Sequence, residues 1–437
     1  MLTLYNQWRL INVGTLFIGY GLYILNRKSF VFLLPEIIED EHLKNNDLGT
    51  ITSSLTLAYS ISKFIGGILS DQISPRVMFP LGLFATGALS LQFSVSTSVQ
   101  SFILVSFLMG LAQGVGWPAV AKVLKQWYPQ SEIGLWWSLI SAAANVAGTL
   151  GPLGLALLAI NFGWRGAMQF CAGGAIIVAA TAGFMIRSSP TDVGLPSIQT
   201  SSDQPNKSTD DAGRGDSSSV LQNLWAILSS PALWVISLLF LISNFLVNGI
   251  TDWGQLFLIQ EKGLSHTTGS SFTSAYSLGA TVGSITSGYI TDKLVAKYGR
   301  RRRGTSRYPW LLLMVALNLL SLHTLRNYID REAYQELILL VGLCLGIAQK
   351  SCVVLFGILA VENSPIHLSG TVHAFAALAS SVGGVLAGLP LTYISQHYTW
   401  SHALYCMESA SFLSLVVMLL IRRMNMRIGY QSHQKTD

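Results

Sequence analysis

Four basic residues lie inside long apolar stretches of the sequence, where a charge is costly to place: Arg27, Lys28, Lys63 and Lys350. A charged side chain at the centre of a bilayer costs about 2.5–3.5 kcal/mol on insertion scales, so it usually faces a wet cavity or a partner. Arg27 and Lys28 are the only charged residues from Ile11 to Leu34. We therefore predict that Arg27 binds an anion, with snorkelling to the membrane surface as the alternative.

The composition is that of a polytopic membrane protein. Hydrophobic residues make up 51% of the 437 residues and charged residues only 11%, whereas a soluble domain carries about 25% charged residues. A helix needs about 20 apolar residues to span a bilayer. We predict an all-α membrane protein whose twelve transmembrane helices cover residues 11–34, 48–70, 77–97, 101–124, 133–160, 165–187, 232–258, 268–291, 309–325, 336–361, 369–395 and 400–421.

The chain divides into two related six-helix halves. Residues 1–187 form the N-terminal half, residues 232–424 the C-terminal half, and residues 425–437 a cytoplasmic tail. Residues 188–231 are rich in Ser, Asp, Pro and Gly, which predicts a flexible cytoplasmic linker. With the N-terminus in the cytoplasm, most Lys and Arg residues fall in cytoplasmic loops, as the positive-inside rule requires. Both termini are therefore predicted to be cytoplasmic.

One loop signature occurs once in each half. Gly67-Ile-Leu-Ser-Asp71 follows helix 2, and Gly288-Tyr-Ile-Thr-Asp292 follows helix 8. Arg76 comes after the first acid and Arg300 after the second. We predict that each acid pairs with its arginine as a latch that stabilises one gate state. An ordinary loop ion pair, which contributes about 0–1 kcal/mol, is the alternative.

This repeated signature, the twelve helices and the central linker resemble the major facilitator superfamily. Shorter stretches resemble its organophosphate:phosphate antiporters, and among these the glucose-6-phosphate transporter branch: Asn26-Arg-Lys28, Ile51-Thr-Ser-Ser54, Tyr59-Ser-Ile-Ser-Lys-Phe64, Gly110-Leu-Ala-Gln-Gly-Val-Gly-Trp-Pro118, Asp252-Trp253 and Gly388-Leu-Pro390. The resemblance implies exchange of a sugar phosphate, foremost glucose 6-phosphate, for inorganic phosphate by alternating access. It also implies residence in the endoplasmic reticulum membrane.

The resemblance also implies roles for residues of the first half. Arg27 matches a phosphate ligand, and its planar fork suits a phosphoryl group. Lys63 matches a lysine important to the same site, with snorkelling as the alternative. Lys28 lies about 100° from Arg27 around the helix and is expected to be a supporting charge or a partner to another helix. Tyr23 either serves the phosphate site or packs in the core. Three further residues line the cavity in the family or act as polar contacts between helices: Gln113, Trp117 and Asn145.

The second half departs from the family at one position. Family members often carry a basic residue in helix 7 where this chain has Val247, with Asn248 beside it. Lys350 lies deep in helix 10, and we predict that it supplies the missing cation; a lysine reaching water or a neighbouring carbonyl is the alternative. His373 is a further candidate for sugar or phosphate contact, with a structural histidine as the alternative.

Two other functions are compatible with the same residues. One is a proton-coupled organic anion or glycerol-3-phosphate-type transporter, and the other is a non-transporting sugar-phosphate sensor. The sequence contains no Ser/His/Asp set, metal cluster or P-loop, so we expect no enzyme and no cofactor. The expected partners are small-molecule substrates and the lipid bilayer, without nucleic acid, and the chain is expected to be a monomer.

Overall fold

The structure is a computed structural model that describes residues 2–128, 130–196, 225, 227–298, 307–363 and 369–421. These residues form seven α-helices before the linker: α1 (Leu2–Phe32), α2 (Leu34–Glu41), α3 (Asn45–Gln72), α4 (Pro75–Ser94), α5 (Val99–Gln113), α6 (Gly116–Trp127) and α7 (Gln130–Met185). A 3-10 helix, Pro190–Val193, follows α7. Seven more α-helices follow the linker: α8 (Pro231–Gln260), α9 (His266–Tyr298), α10 (Tyr308–Asn327), α11 (Gln335–Glu362), α12 (Ser369–Leu386), α13 (Leu389–His397) and α14 (Trp400–Ile421).

The helices account for the twelve predicted spans. Nine helical stretches of the described residues are long and apolar enough to cross a membrane. The stretch within α7 counts twice, because Gly163 has φ 68° and separates two helices there. Glycine adopts this left-handed conformation without the Cβ clash that other residues suffer. The more polar α3 and α9, with 28 and 33 residues, complete the set and confirm the predicted fold class.

Two predicted spans are broken into two helices each. The fourth consists of α5 and α6, which meet at Gly114 and Val115, and the eleventh consists of α12 and α13, which meet at Ala387 and Gly388. In each case a proline follows shortly after, and proline cannot donate the backbone hydrogen bond that would continue the helix. The first break leaves Gln113 at the last position of α5, buried in the N-terminal unit.

The chain folds into two compact units. The first contains α1 to α7 together with Leu258–Gln260 and Leu264–Ser274, and the second contains the remainder of α8 to α14. A buried cluster that includes Phe79 and Trp127 forms a core of the first unit. A second cluster, which includes Leu311 and Phe356, forms a core of the other.

Glycines bring one helix pair very close in each unit. In the first unit, a Cβ at Gly114 would overlap backbone atoms of Ser62 and Lys63, so α3 packs directly on the break between α5 and α6. In the second unit, a Cβ at Gly283 would overlap the carbonyl of Ile347, and α9 packs directly on α11. Small residues permit such close approach of membrane helices.

Both helix pairs carry the same short pattern. Gly110-Leu-Ala-Gln113 ends α5, and Gly346-Ile-Ala-Gln349 lies within α11. A Cβ at Gly110 would overlap α3, and a Cβ at Gly346 would overlap α9. The pattern is therefore an internal repeat with the same packing role in the two units.

Candidate substrate-binding site

Arg27 meets an aromatic ring of a neighbouring helix. The guanidinium carbon of Arg27, on α1, lies 4.4 Å from the centroid of the Tyr59 ring, on α3. Both side chains are half-buried. A cation over a ring face is attracted by the ring quadrupole, by about 0.5–2 kcal/mol depending on solvent access. The contact orients the arginine within the membrane part of the N-terminal unit.

A second cation lies beside the same tyrosine. Lys63 follows Tyr59 by four residues, so the two side chains project from the same face of α3. Both Lys63 and Arg27 are close enough to interact electrostatically with the Tyr59 hydroxyl. Lys63 is exposed, which leaves its ammonium accessible to a ligand. The two charges predicted to bind phosphate therefore both lie near one phenol.

Three aromatic side chains, on α1, α6 and α7, contact one another in a series that begins beside Arg27 and Tyr59. Tyr20, seven residues before Arg27 on α1, interacts electrostatically with Arg27 and Tyr59. Its ring lies 4.9 Å from that of Trp117 on α6. The Trp117 ring lies 4.9 Å from that of Trp137 on α7 and is almost perpendicular to it. We call Tyr20, Trp117 and Trp137 the aromatic wall.

Two amide side chains are further candidates for the site: Gln113 on α5 and Asn145 on α7. Gln113 is buried, and its Nε2 has no hydrogen-bond partner among the described residues. A buried donor without a partner is costly, by about 1–3 kcal/mol, so it is a candidate for a ligand or water contact. Asn145 is half-buried on α7, eight residues after Trp137.

The structure places Tyr23 in the core of the N-terminal unit. Its hydroxyl donates a 2.8 Å hydrogen bond to the carbonyl of Phe79, and the two rings pack edge to face. Tyr23 is buried. This is the packing role that the sequence left open as an alternative. Lys28, the next residue after Arg27, is half-buried.

The candidate residues of the C-terminal unit are placed differently. Val247, at the position of the missing cation, is a buried core residue. Asn248 donates to the carbonyl of Asn244 one turn earlier, at 2.9 Å. Lys350 is half-buried on α11. His373 lies on α12, and its side chain is outside the described residues.

A chain of hydrogen bonds occupies the interior of the C-terminal unit next to Lys350. Tyr276 Oη donates to Gln349 Oε1 at 2.7 Å, and Gln349 Nε2 donates to Asn318 Oδ1 at 3.0 Å. Asn318 Nδ2 then donates to Ser411 Oγ at 2.8 Å. All four side chains are buried. The chain links α9, α11, α10 and α14 and satisfies both ends of the Gln349 amide.

The two loop signatures also differ. Arg76 is exposed and donates from Nε to the carbonyl of Gly183 at 3.1 Å, and the side chain of Asp71 lies outside the described residues. Asp292 pairs with Arg307 at 2.8 Å, and Arg307 also forms a two-pronged pair with Glu362. Arg300, the predicted partner of Asp292, lies outside the described residues.

The sequence also matches a known protein family. The profile of the Major Facilitator Superfamily matches residues 16–388, which is most of the chain. The chain belongs to the major facilitator superfamily.

Relatives within the superfamily include transport proteins for phosphorylated compounds and a membrane sensor protein. A probable hexose phosphate transport protein of Chlamydia trachomatis is 30% identical over 430 residues, covering 95% of this chain and 91% of its own length. The membrane sensor protein UhpC of Escherichia coli is 29% identical over 416 residues, covering 95% and 92%. A glycerol-3-phosphate transporter of Bacillus subtilis is 26% identical over 423 residues, covering 95% and 93%. These relatives confirm the predicted resemblance to the organophosphate:phosphate antiporters.

Solved structures share the superfamily fold. A bacterial homologue of the human lysosomal transporter Spinster superposes with a TM-score of 0.77 at 13% identity, covering 97% of this chain and 99% of its own. A second structure of such a homologue gives 0.73 at 12% identity, covering 95% and 97%. The family match and the transporter relatives show that this superfamily member is a multi-pass membrane protein that transports organophosphates and is not an enzyme.

Proposed function

We propose that this chain exchanges a sugar phosphate, foremost glucose 6-phosphate, for inorganic phosphate by alternating access. The observation that carries the proposal is the pair of cations, Arg27 and Lys63, that both interact with Tyr59 within membrane helices. Charges at this depth are retained for function because they are costly to place there.

Arg27 and Lys63 have complementary roles toward a phosphoryl group. The planar guanidinium of Arg27 can donate two parallel hydrogen bonds to phosphate oxygens, which fixes orientation. The ammonium of Lys63 adds a compact charge on a flexible stem. The Tyr59 ring contacts Arg27, and its hydroxyl interacts electrostatically with both cations. Inorganic phosphate and a sugar phosphate share the group that this arrangement binds.

The same two charges favour exchange over one-way transport. Enclosing two cations away from water is costly unless an anion offsets them. A bound phosphoryl group supplies that negative charge, so the loaded carrier changes conformation more readily than the empty one. Return of the carrier then requires a second anion, which is inorganic phosphate.

The aromatic wall suits the sugar part of the substrate. Tyr20 lies next to Arg27 and Tyr59, and Trp117 and Trp137 extend the wall away from the charges. An indole or phenol ring offers an apolar face together with a polar edge. Such a face matches the C–H side of a hexose ring, while Gln113 and Asn145 offer amide groups to its hydroxyls. The wall favours a hexose phosphate over glycerol 3-phosphate.

A sugar-phosphate sensor is the second candidate, and one observation favours it. The E. coli relative that is 29% identical is a sensor protein. A sensor would bind the sugar phosphate at the same cations without transporting it. Binding by the purified protein without flux in liposomes would support the sensor over the antiporter.

A proton-coupled transporter would need a carboxylate that is free to titrate at the site. Glu408 lies mid-span in α14, but its carboxylate is bound to Arg326 Nε at 2.7 Å and to His323 Nδ1 at 2.7 Å. An ion pair of this kind favours a permanently charged carboxylate. The geometry therefore gives this alternative little support.

We propose that both termini are cytoplasmic, from the distribution of Lys and Arg in the loops. The relatives named above are bacterial proteins, and they do not support the expected endoplasmic reticulum membrane. We therefore propose an orientation and no organelle. The Asp71–Arg76 and Asp292–Arg300 latches and the monomeric state also stay predictions.

A competition panel tests the proposed substrate. Purified protein in phosphate-loaded liposomes is assayed for uptake of labelled phosphate in the presence of glucose 6-phosphate, other hexose phosphates, glycerol 3-phosphate and free glucose. We expect hexose phosphates to compete best and glucose not to compete. Stronger competition by glycerol 3-phosphate would contradict the role of the aromatic wall.

A further inference from the structure

A groove with one charged end and one apolar end lies on the surface of the C-terminal unit, between α10 and α14. Its volume is about 460 Å³. The apolar part is lined by Leu319, Leu320, Phe412 and Leu415, and the polar part by His323 and Glu408. Leu320 is 63% exposed and Phe412 is 57% exposed. Both helices are membrane spans, so these side chains are available to a lipid chain.

The charged end contains groups of both signs. Glu408 accepts hydrogen bonds from Arg326 Nε and pairs with His323 Nδ1, each at 2.7 Å. The Arg326 guanidinium also lies over the Tyr405 ring, 5.2 Å from its centroid. Its two terminal nitrogens have no hydrogen-bond partner among the described residues. The side chains of Glu408, Arg326 and His323 are 14%, 22% and 46% exposed. The terminal nitrogens of Arg326 and the largely buried carboxylate of Glu408 thus form a small site with charges of both signs.

The charged end of the groove lies in the half of the membrane that contains the end of α10 and the start of α14. Arg326 is the next-to-last residue of α10. Glu408 follows the first residue of α14 by eight positions, which is about 12 Å of helix. The hydrocarbon core of a bilayer is about 30 Å thick, so half of it is about 15 Å. Arg326 therefore lies near one face of the bilayer, and Glu408 lies deeper in the same half. The leucines and Phe412 extend from them toward the middle of the bilayer.

We propose that this groove binds phosphatidylethanolamine. The lipid phosphate accepts hydrogen bonds from the terminal nitrogens of Arg326, and its ammonium donates to Glu408. One acyl chain lies along Leu320, Phe412 and Leu415. The zwitterionic headgroup matches the two signs of charge present. A choline headgroup cannot donate N–H hydrogen bonds to Glu408, and a glycerol headgroup leaves that carboxylate beside a net anionic lipid.

Thermal unfolding of the purified full-length chain in detergent tests the proposal without any transport assay. Phosphatidylethanolamine, phosphatidylcholine and phosphatidylglycerol with identical acyl chains are added separately. We expect phosphatidylethanolamine to raise the unfolding midpoint by several degrees more than the other two. An equal shift from all three lipids overturns the proposal, because it excludes headgroup recognition.

Two tryptophan variants locate the effect while leaving the ion pairs intact. Leu320→Trp fills the groove. Leu313→Trp is the matched control, since Leu313 is 54% exposed on the same helix, seven residues earlier, and does not line the groove. We expect Leu320→Trp to abolish the shift specific to phosphatidylethanolamine and Leu313→Trp to keep it. A full shift in Leu320→Trp, or an equal loss in both variants, overturns the site.

Discussion

The two units contain the same four-residue pattern with different surroundings. Gly110-Leu-Ala-Gln113 and Gly346-Ile-Ala-Gln349 each pack a glycine against a neighbouring helix. In the first unit Gln113 has a donor without a partner among the described residues, and the residue after it is Gly114. In the second unit Gln349 is hydrogen-bonded at both ends, and the residue after it is Lys350.

The difference suggests a division of roles between the units. The N-terminal unit has Arg27, Lys63 and an aromatic wall around polar groups that remain available. The C-terminal unit uses its amide and hydroxyl groups within its own interior, and Val247 occupies the core where a cation is expected. We infer that recognition of phosphate depends mainly on the first unit; a role for Lys350 as the missing cation stays a prediction.

Replacing Arg27 should have the largest effect. Arg27→Lys keeps the charge but removes the two-pronged hydrogen bonds, so we expect transport of sugar phosphate to fall by roughly 100-fold. Arg187→Lys is the matched control, because Arg187 also lies over an aromatic ring, that of Trp8, at the end of α7. Uptake by proteoliposomes measures both variants. Equal activity of Arg27→Lys and Arg187→Lys would contradict the assignment.

Replacing Arg307 should destabilise the protein more than replacing Arg76. Arg307 is only 7% exposed, whereas its partners Asp292 and Glu362 are 70% and 35% exposed. Losing one partner of a fully buried pair costs about 3–5 kcal/mol, and water can reach these acids, so we expect about 2–3 kcal/mol for Arg307→Gln. Arg76→Gln should cost less than about 1 kcal/mol, because Arg76 is exposed. Denaturant unfolding in detergent compares them, and equal losses would refute the distinction.

The two glutamines should also differ in stability. Gln349→Leu removes the hydrogen-bond partner of the Tyr276 hydroxyl and of Asn318 Oδ1, so we expect a loss of about 1–2 kcal/mol. Gln113→Leu removes a donor that has no partner among the described residues, and we expect little loss of stability but weaker sugar-phosphate transport. Denaturant unfolding in detergent measures the stability of both variants, and uptake by proteoliposomes measures their transport. If Gln113→Leu is the more destabilising variant, the proposed difference between the units is wrong.

Lys350 should give the smallest of these effects on recognition. Lys350→Met keeps the length of the side chain and removes the charge. We expect the apparent affinity for phosphate to fall about five- to tenfold, which corresponds to about 1 kcal/mol. Val247 remains unchanged in this variant. Unaltered affinity in a phosphate competition assay would show that Lys350 does not replace the missing cation.

Local features of the sequence predicted the fold correctly and singled out Arg27 as the central candidate, whose role stays a prediction. Apolar length shows a span directly, and Arg27 is conspicuous because a charge in such a span is costly. Tyr59 and Lys63 were visible as neighbours four residues apart within one motif. The aromatic wall was only partly visible, through Trp117.

Contacts between helices that are distant in the sequence could not be predicted from such local features. Tyr20 and Trp137 join the wall because α1, α6 and α7 pack together, and only the seven-residue spacing from Tyr20 to Arg27 hinted at it. Tyr23 shares a face with Arg27 in sequence, yet its hydroxyl reaches Phe79 on α4. Arg307 meets Asp292 and Glu362 because three helix ends converge, which no spacing along the chain indicates.

The most direct test of the central claim is exchange by wild type and Arg27→Lys in the same liposomes. Uptake of labelled glucose 6-phosphate is measured with and without phosphate inside. We predict fast uptake by the wild type only when the liposomes contain phosphate, and slow uptake by Arg27→Lys in both cases. Fast wild-type uptake into phosphate-free liposomes would contradict exchange, and fast phosphate-dependent uptake by Arg27→Lys would contradict the site.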